Sequence, residues 1–96
     1  MTTDEDRAQA LTLLETAHAF PGPYVFRVVV RRGREPAVIS ALASALPETG
    51  GLDVTERPSR NGNYVALRMR LTVGSADDVL DTYQVLKTVD GVLTVL

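Results

Sequence analysis

Tyr64-Val65-Ala66-Leu67-Arg68-Met69-Arg70-Leu71-Thr72-Val73 alternates without a break. Successive side chains of a strand point to opposite faces, so Val65, Leu67, Met69, Leu71 and Val73 share one side while Tyr64, Ala66, Arg68, Arg70 and Thr72 share the other. One face is dry and one is wet, which predicts an antiparallel sheet covered on a single side. Immediately upstream, Ser59-Arg60-Asn61-Gly62-Asn63 reads as a hairpin loop, with Asn61-Gly62 the place for positive φ. Before it, Leu52 to Arg57 places Leu52, Val54 and Glu56 on one parity and Asp53, Thr55 and Arg57 on the other, a short half-exposed strand. Pro58 at its end marks a sheet edge, because a central strand needs every N–H. Downstream, Ser75 and Asp78 form a capping-box pattern ahead of an apolar stripe at Val79, Leu80, Tyr83 and Leu86. Asp90-Gly91 is expected to close that helix, and Val92 to Leu96 to form the last strand.

The other half of the chain repeats this plan. Tyr24 to Arg31 is aromatic and β-branched, with Tyr24, Phe26, Val28 and Val30 expected inward and Val25, Arg27, Val29 and Arg31 outward. Arg32-Gly33-Arg34-Glu35 is a turn, and Pro36 suits the first position of a helix, where no N–H is needed. Val38, Ile39, Leu42, Ala45 and Leu46 repeat at three and four until Pro47 and Gly50-Gly51 stop the pattern. At the start of the chain, Thr3 and Asp6 make a loose capping box before Ala10, Leu13, Leu14 and Ala17. This predicts a short helix from about Asp4 to His18, weakly amphipathic with Leu11 off the stripe and loosely docked, ended by Phe20-Pro21-Gly22-Pro23. The order is helix, then β-α-β-β-α-β. Short right-handed connections turn that order into the split β-α-β arrangement, an α+β sandwich whose four-stranded antiparallel sheet has order 4-1-3-2, with both later helices on one face. The Pro58-bearing strand then falls at an edge, as proline requires. The expected organisation is a helical arm over residues 1–19 and one domain over residues 20–96.

Ninety-six residues with 45% hydrophobic content suffice for one modest core and no more. Charged residues make up 23% and the net charge is -2, which argues against a disordered chain and against a bulk polycation. The absence of cysteine excludes disulfides and thiolate metal sites. No apolar run is long enough for a bilayer, and the acidic start is unlike a signal peptide, so a cytoplasmic location is expected. The charge is uneven. Acids dominate both ends, whereas every basic residue between Tyr24 and Gly74 is arginine, whose planar fork suits carboxylate and phosphate.

Taken together, Phe20-Pro21-Gly22-Pro23-Tyr24, the strand ending near Val30, the loop Pro58-Ser59-Arg60-Asn61-Gly62-Asn63-Tyr64, the Ser75-led helix with Tyr83 and Leu86, and the Val92-Leu93-Thr94-Val95-Leu96 ending resemble the bacterial YbeD-like family of small uncharacterised proteins. The resemblance covers about residues 19–96 and leaves the first helix outside. It implies a ferredoxin-like fold, similar to the ACT-type regulatory domain of amino-acid biosynthetic enzymes, and a regulatory role sometimes associated with lipoate metabolism. The Arg31-Arg32-Gly33-Arg34 turn is more basic than that pattern.

No residue cluster reads as catalytic, and no cofactor is expected. His18, the one histidine, sits at a helix end with no cysteine or second histidine to join it. Asp77, Asp78 and Asp81 fall at the start of a helix, where the dipole favours acids, rather than in a buried proton-transfer pair. The Pro58–Tyr64 loop is explained by turn chemistry. Two binding readings remain. The Arg32-Gly33-Arg34 turn lies at a helix N-terminus, a place for a small anion or carboxylate. The outer sheet face carries Arg27, Arg31, Tyr64, Arg68 and Arg70, a surface for a partner. The expectation is a non-catalytic regulatory or interaction module, ACT-like, binding a partner protein or a small carboxylate. A homodimer is a further expectation, with the acidic arm and the second helix of the domain meeting those arginines. The alternative is an RNA-binding sheet, but such sheets stack bases on two or three aromatics and this face offers Tyr64 alone.

Overall fold

The computed structural model describes residues 3–46 and 51–96. Seven elements follow one another: α1 (Thr3–Ala17), β1 (Gly22–Arg31), α2 (Glu35–Ala45), β2 (Asp53–Pro58), β3 (Tyr64–Val73), α3 (Ala76–Lys87) and β4 (Val92–Val95). The strands form one antiparallel sheet in the order β2-β3-β1-β4, which is the expected 4-1-3-2 read from the opposite edge. The alternation of β3 decides which way the sheet faces: Val65, Leu67, Met69, Leu71 and Val73 are all buried. Phe26, Val28 and Val30 of β1 join them, and α2 and α3 close this face with Val38, Leu42, Val79 and Leu86. Truncating any one of these to alanine would cost about 2–5 kcal/mol, since a close-packed core cannot fully collapse around the void.

Several boundaries shift for local reasons. β2 runs one residue later than the alternation suggests, and Pro58 is its last residue, paired with Val65 at the sheet edge. Arg34 is the residue flanking α2, so Pro36 takes the second helical position. Of the stop expected at Pro47 and Gly50-Gly51 only Gly51 is described, at φ +74°; the rest lies outside the described residues, as does the cap expected from the Thr3 side chain. Ser75 caps α3 as its spacing predicts, its Oγ accepting from the Asp78 N–H at 3.2 Å. The far end of α3 differs: Thr88 is the capping residue and Asp90-Gly91 lies beyond it, in the turn into β4. Gly91 has φ +95°, and a Cβ there would overlap the Arg34 side chain. Thr82 is buried among the apolar residues of α3, its hydroxyl donating to the Asp78 carbonyl at 2.6 Å. Leu80 and Tyr83, expected with the core, are only half-buried.

The first helix is docked on α3 and rotated from the expected stripe. Arg7 Nη2 reaches Asp81 at 2.9 Å and Asp77 at 3.2 Å. That anchor turns Arg7, Ala10, Leu11 and Leu14 inward, and Leu14 packs against the core. Leu13 and Ala17 face solvent instead.

Candidate functional site

The face of the sheet opposite α2 and α3 is uncovered by any described helix. Its residues stand in rows fixed by the strand register. Asp53, Arg70 and Val25 form one row across β2, β3 and β1; Thr55, Arg68 and Arg27 form the next; Arg57, Ala66 and Val29 form the third; and Tyr64 faces Arg31 at the hairpin end. Arg27 and Arg68 are therefore direct cross-strand neighbours. Arg32 donates to the Asn63 carbonyl, which makes the even positions of β1 the hydrogen-bonded pairs with β3 and the odd ones the pairs whose side chains lie closest. The two arginines are thus directly opposed in register, and like charges directly opposite each other destabilise a sheet.

Ala66 explains the shape of this surface. Its short side chain leaves the floor of a shallow basin of about 540 Å³, walled by Arg27, Arg57 and Arg68, with Thr55 and Leu96 at the rim. Among the described residues, none of Arg27, Arg57, Arg68 and Arg70 makes an ion pair within 4 Å, although Asp53 stands opposite Arg70 in register. Arg31 leans out of the group toward Asp90 Oδ1 at 3.7 Å, both side chains well exposed. The structure brings together Arg27, Arg68 and Arg70 of the expected face and sets Arg31 and Tyr64 apart at the hairpin end. It adds Arg57, which sequence reasoning missed. The signal was its outward parity with Asp53 and Thr55 on β2.

The Arg32-Gly33-Arg34 turn is separate from this face. The Gly33 N–H donates to Glu35 Oε1 at 2.6 Å, so the chain's own carboxylate occupies the turn's amide. Arg34 Nε donates to the Asp90 carbonyl at 2.9 Å, and its stem lies over Gly91. The Pro58–Tyr64 loop is closed by Ser59, whose N–H donates to the Tyr64 carbonyl at 2.7 Å and whose Oγ accepts from the Tyr64 N–H at 3.1 Å, with Gly62 at φ +75°.

A second hollow, about 470 Å³, lies around the start of β1. His18 packs edge-on to Tyr24 with ring centroids 5.0 Å apart, and the Tyr24 and Tyr83 hydroxyls are 3.0 Å apart. Burial first, and then the bond to Tyr24, push the Tyr83 hydroxyl well above the usual phenol range. Asp77 and Asp81 are engaged by Arg7, and Asp78 lies in the capped first turn of α3. Among the described residues, no group of three or more histidines, aspartates and glutamates is placed to hold a metal, and no helix is long and apolar enough to cross a membrane.

The model of a protein family described as protein of unknown function (DUF493) matches residues 15–96. The chain belongs to this family. The match begins at Glu15, within the last turn of α1 and slightly before the stretch from residue 19 that the sequence resemblance covers. Among solved structures, this DUF493 chain is similar to the solution structure of protein HP0495 from H. pylori, with TM-score 0.71 and 14% identity over 82% of this chain and 85% of the other. It is also similar to the C-terminal domain of the MgtC protein from Mycobacterium tuberculosis, with TM-score 0.60 and 20% identity over 82% and 87% of the two chains. The ACT domain from GTP pyrophosphokinase of Chlorobium tepidum gives TM-score 0.51 and 15% identity over 77% and 94%. No curated protein matches the sequence. At these identities the likenesses show the fold, a ferredoxin-like sandwich with ACT-like neighbours.

Proposed function

We propose that this DUF493 domain is a cytoplasmic, non-catalytic regulatory or interaction module, YbeD-like within its family, that binds carboxylate groups on its open sheet face. The observation that supports this most is the Arg27–Arg68 pair. Placing two arginines opposite each other, with Arg57 and Arg70 beside them and no ion pair among the described residues, costs the fold and prepares a surface for an anion. Carboxylates on a protein partner or a small ligand complement it. A second copy is the weaker occupant on its α3 side, because Asp77 and Asp81, two of the three acids of α3, are already engaged by Arg7 within the chain. Tyr64 is the one aromatic among the described residues of this face, which leaves little for base stacking.

Residue-resolved NMR titration of the full chain with a glutamate homopolymer tests this reading. Shifts should concentrate at Arg27, Arg57, Ala66, Arg68 and Arg70 and weaken with salt, and a lysine homopolymer should produce none. Shifts absent from these five positions would sink the reading. A single-stranded RNA that binds this face more tightly than polyglutamate would replace it with the nucleic-acid alternative.

A further inference from the structure

The open face changes character along its strands. The row of Thr55, Arg68 and Arg27 is basic, and the next row, Arg57, Ala66 and Val29, is mostly apolar. Beyond it stands Tyr64, whose N–H and C=O are both held by Ser59 and whose ring stacks on no other ring among the described residues. Tyr64, Val29, Ala66 and Pro58 line a shallow hollow of about 260 Å³, and Arg57 and Ala66 border both this hollow and the basin. Val29 and Ala66 are half-buried and Tyr64 is exposed. In the other direction Arg70 has Asp53 opposite it, so the pull on an anion is centred on the Arg27–Arg68 row. An anion seat therefore adjoins an apolar seat.

The two seats lie two residues apart along the strands, about 7 Å at the rise of a β-strand. Small ligands bind by burying most of their surface in a concave site, which these shallow hollows do not offer, so the face suits a broad occupant. An extended segment laid flat on it would leave its own N–H and C=O groups unpaired, since those of the sheet bond between strands. A helix satisfies its own, and four of its residues rise about 6 Å, close to one row of the sheet. The fold already shows how arginine meets such a ladder of acids: Arg7 Nη2 bridges Asp77 and Asp81, one turn apart on α3, at 3.2 and 2.9 Å.

We infer that the open face accepts an acidic amphipathic helix of a partner protein, with a carboxylate over Arg27, Arg57 and Arg68 and a large apolar side chain four positions away over Val29, Ala66 and Tyr64. Such a helix covers the sheet on the side that α2 and α3 leave open, as in three-layer folds. The inference rests on the carboxylate-binding reading of this face and adds the shape of the occupant and its apolar anchor. In a second copy, α3 has the same spacing at Asp77, Asp81 and the exposed Val85, but Arg7 already engages both acids.

The test titrates the full chain with three blocked peptides on an alanine–glutamine frame, each about 20 residues long so that a helix can form. The first carries two glutamates and a leucine at successive four-residue steps. The second carries the same three at two-residue steps, and the third has glutamine in place of the leucine of the first. The first should bind at least tenfold more tightly than the second and at least fivefold more tightly than the third, shifting Val29 and Tyr64 together with Arg27 and Arg68. Tighter binding of the second would make the occupant an extended segment and overturn the helix. Equal binding by all three, or by none, with polyglutamate still bound at the arginines, would overturn the inference and leave the carboxylate reading intact. No shift with any peptide or with polyglutamate would remove both. Sedimentation showing that the chain self-associates, with the same rows shifted in the absence of peptide, would make α3 of a second copy the occupant and overturn the assignment to a partner protein.

Discussion

At the residue scale, two glycines with the same backbone have different surroundings. Gly33 and Gly91 both have φ +95°, but a Cβ at Gly33 meets open space while one at Gly91 meets the Arg34 stem. Gly33→Ala should cost about 1–3 kcal/mol from the backbone alone. Gly91→Ala carries the same cost plus the collision, so denaturant unfolding should find it the less stable of the two. Equal losses would mean that Arg34 moves aside freely. Tyr83 gives a pH dependence of definite sign. In the fold its hydroxyl keeps its proton beyond the range of an ordinary phenol. Above a pH of about 10 the unfolded chain therefore releases that proton first and binds fewer protons than the native state, and stability falls as pH rises. Tyr83→Phe should flatten this decline, as read from urea midpoints between pH 9 and 11; an unchanged slope would contradict it. Sequence reading found Tyr83 only as a member of an apolar stripe. Its hydroxyl bond to Tyr24 depends on two side chains 59 positions apart, and no local pattern encodes that meeting.

At the element scale, strands and caps were legible because their signals are local. The alternation of Tyr64–Val73, the proline at the end of β2 and the Ser75 cap each follow from residues within one turn or one pleat. Ser75→Ala should cost about 0.5–2 kcal/mol in denaturant unfolding, the usual loss for a serine cap, and a neutral result would leave the α3 start unexplained. The rotation of α1 was not legible. Its composition marks Ala10, Leu13, Leu14 and Ala17, but Arg7 finds Asp77 and Asp81 across the fold and turns Leu11 inward. A helix held by exposed ion pairs and the half-buried side chains of Ala10, Leu11 and Leu14 should open more readily than α2 or α3. Hydrogen exchange should show α1 least protected of the three helices, with protection falling further on adding salt. Protection equal to that of α3 and indifferent to salt would show that apolar packing holds it instead.

At the scale of the whole molecule, strand order and core followed from the chain order β-α-β-β-α-β and the position of Pro58. The proposed binding surface was legible in part. Outward parity identified Arg27, Arg68 and Arg70, but only the register between β2 and β3 brings Arg57 beside Ala66 and reveals the basin. In the basic turn at Arg32-Gly33-Arg34, which suggested an anion site, the Gly33 N–H meets Glu35 and Arg34 Nε meets the Asp90 carbonyl. Arrangement across strands, rather than local charge density, distinguishes the two. The ACT-like neighbours show the sandwich, and the arginine rows are read from this chain's sequence and register.

The central claim is that the fold tolerates opposed arginines because the surface binds carboxylates. It makes a paired prediction for Arg68→Glu, measured as unfolding free energy and polyglutamate binding on the same sample. Replacing the repulsive Arg27–Arg68 pair with an attractive one should raise stability by about 0.2–1 kcal/mol and abolish binding. A variant that is less stable, or that binds polyglutamate as the parent does, would contradict the account.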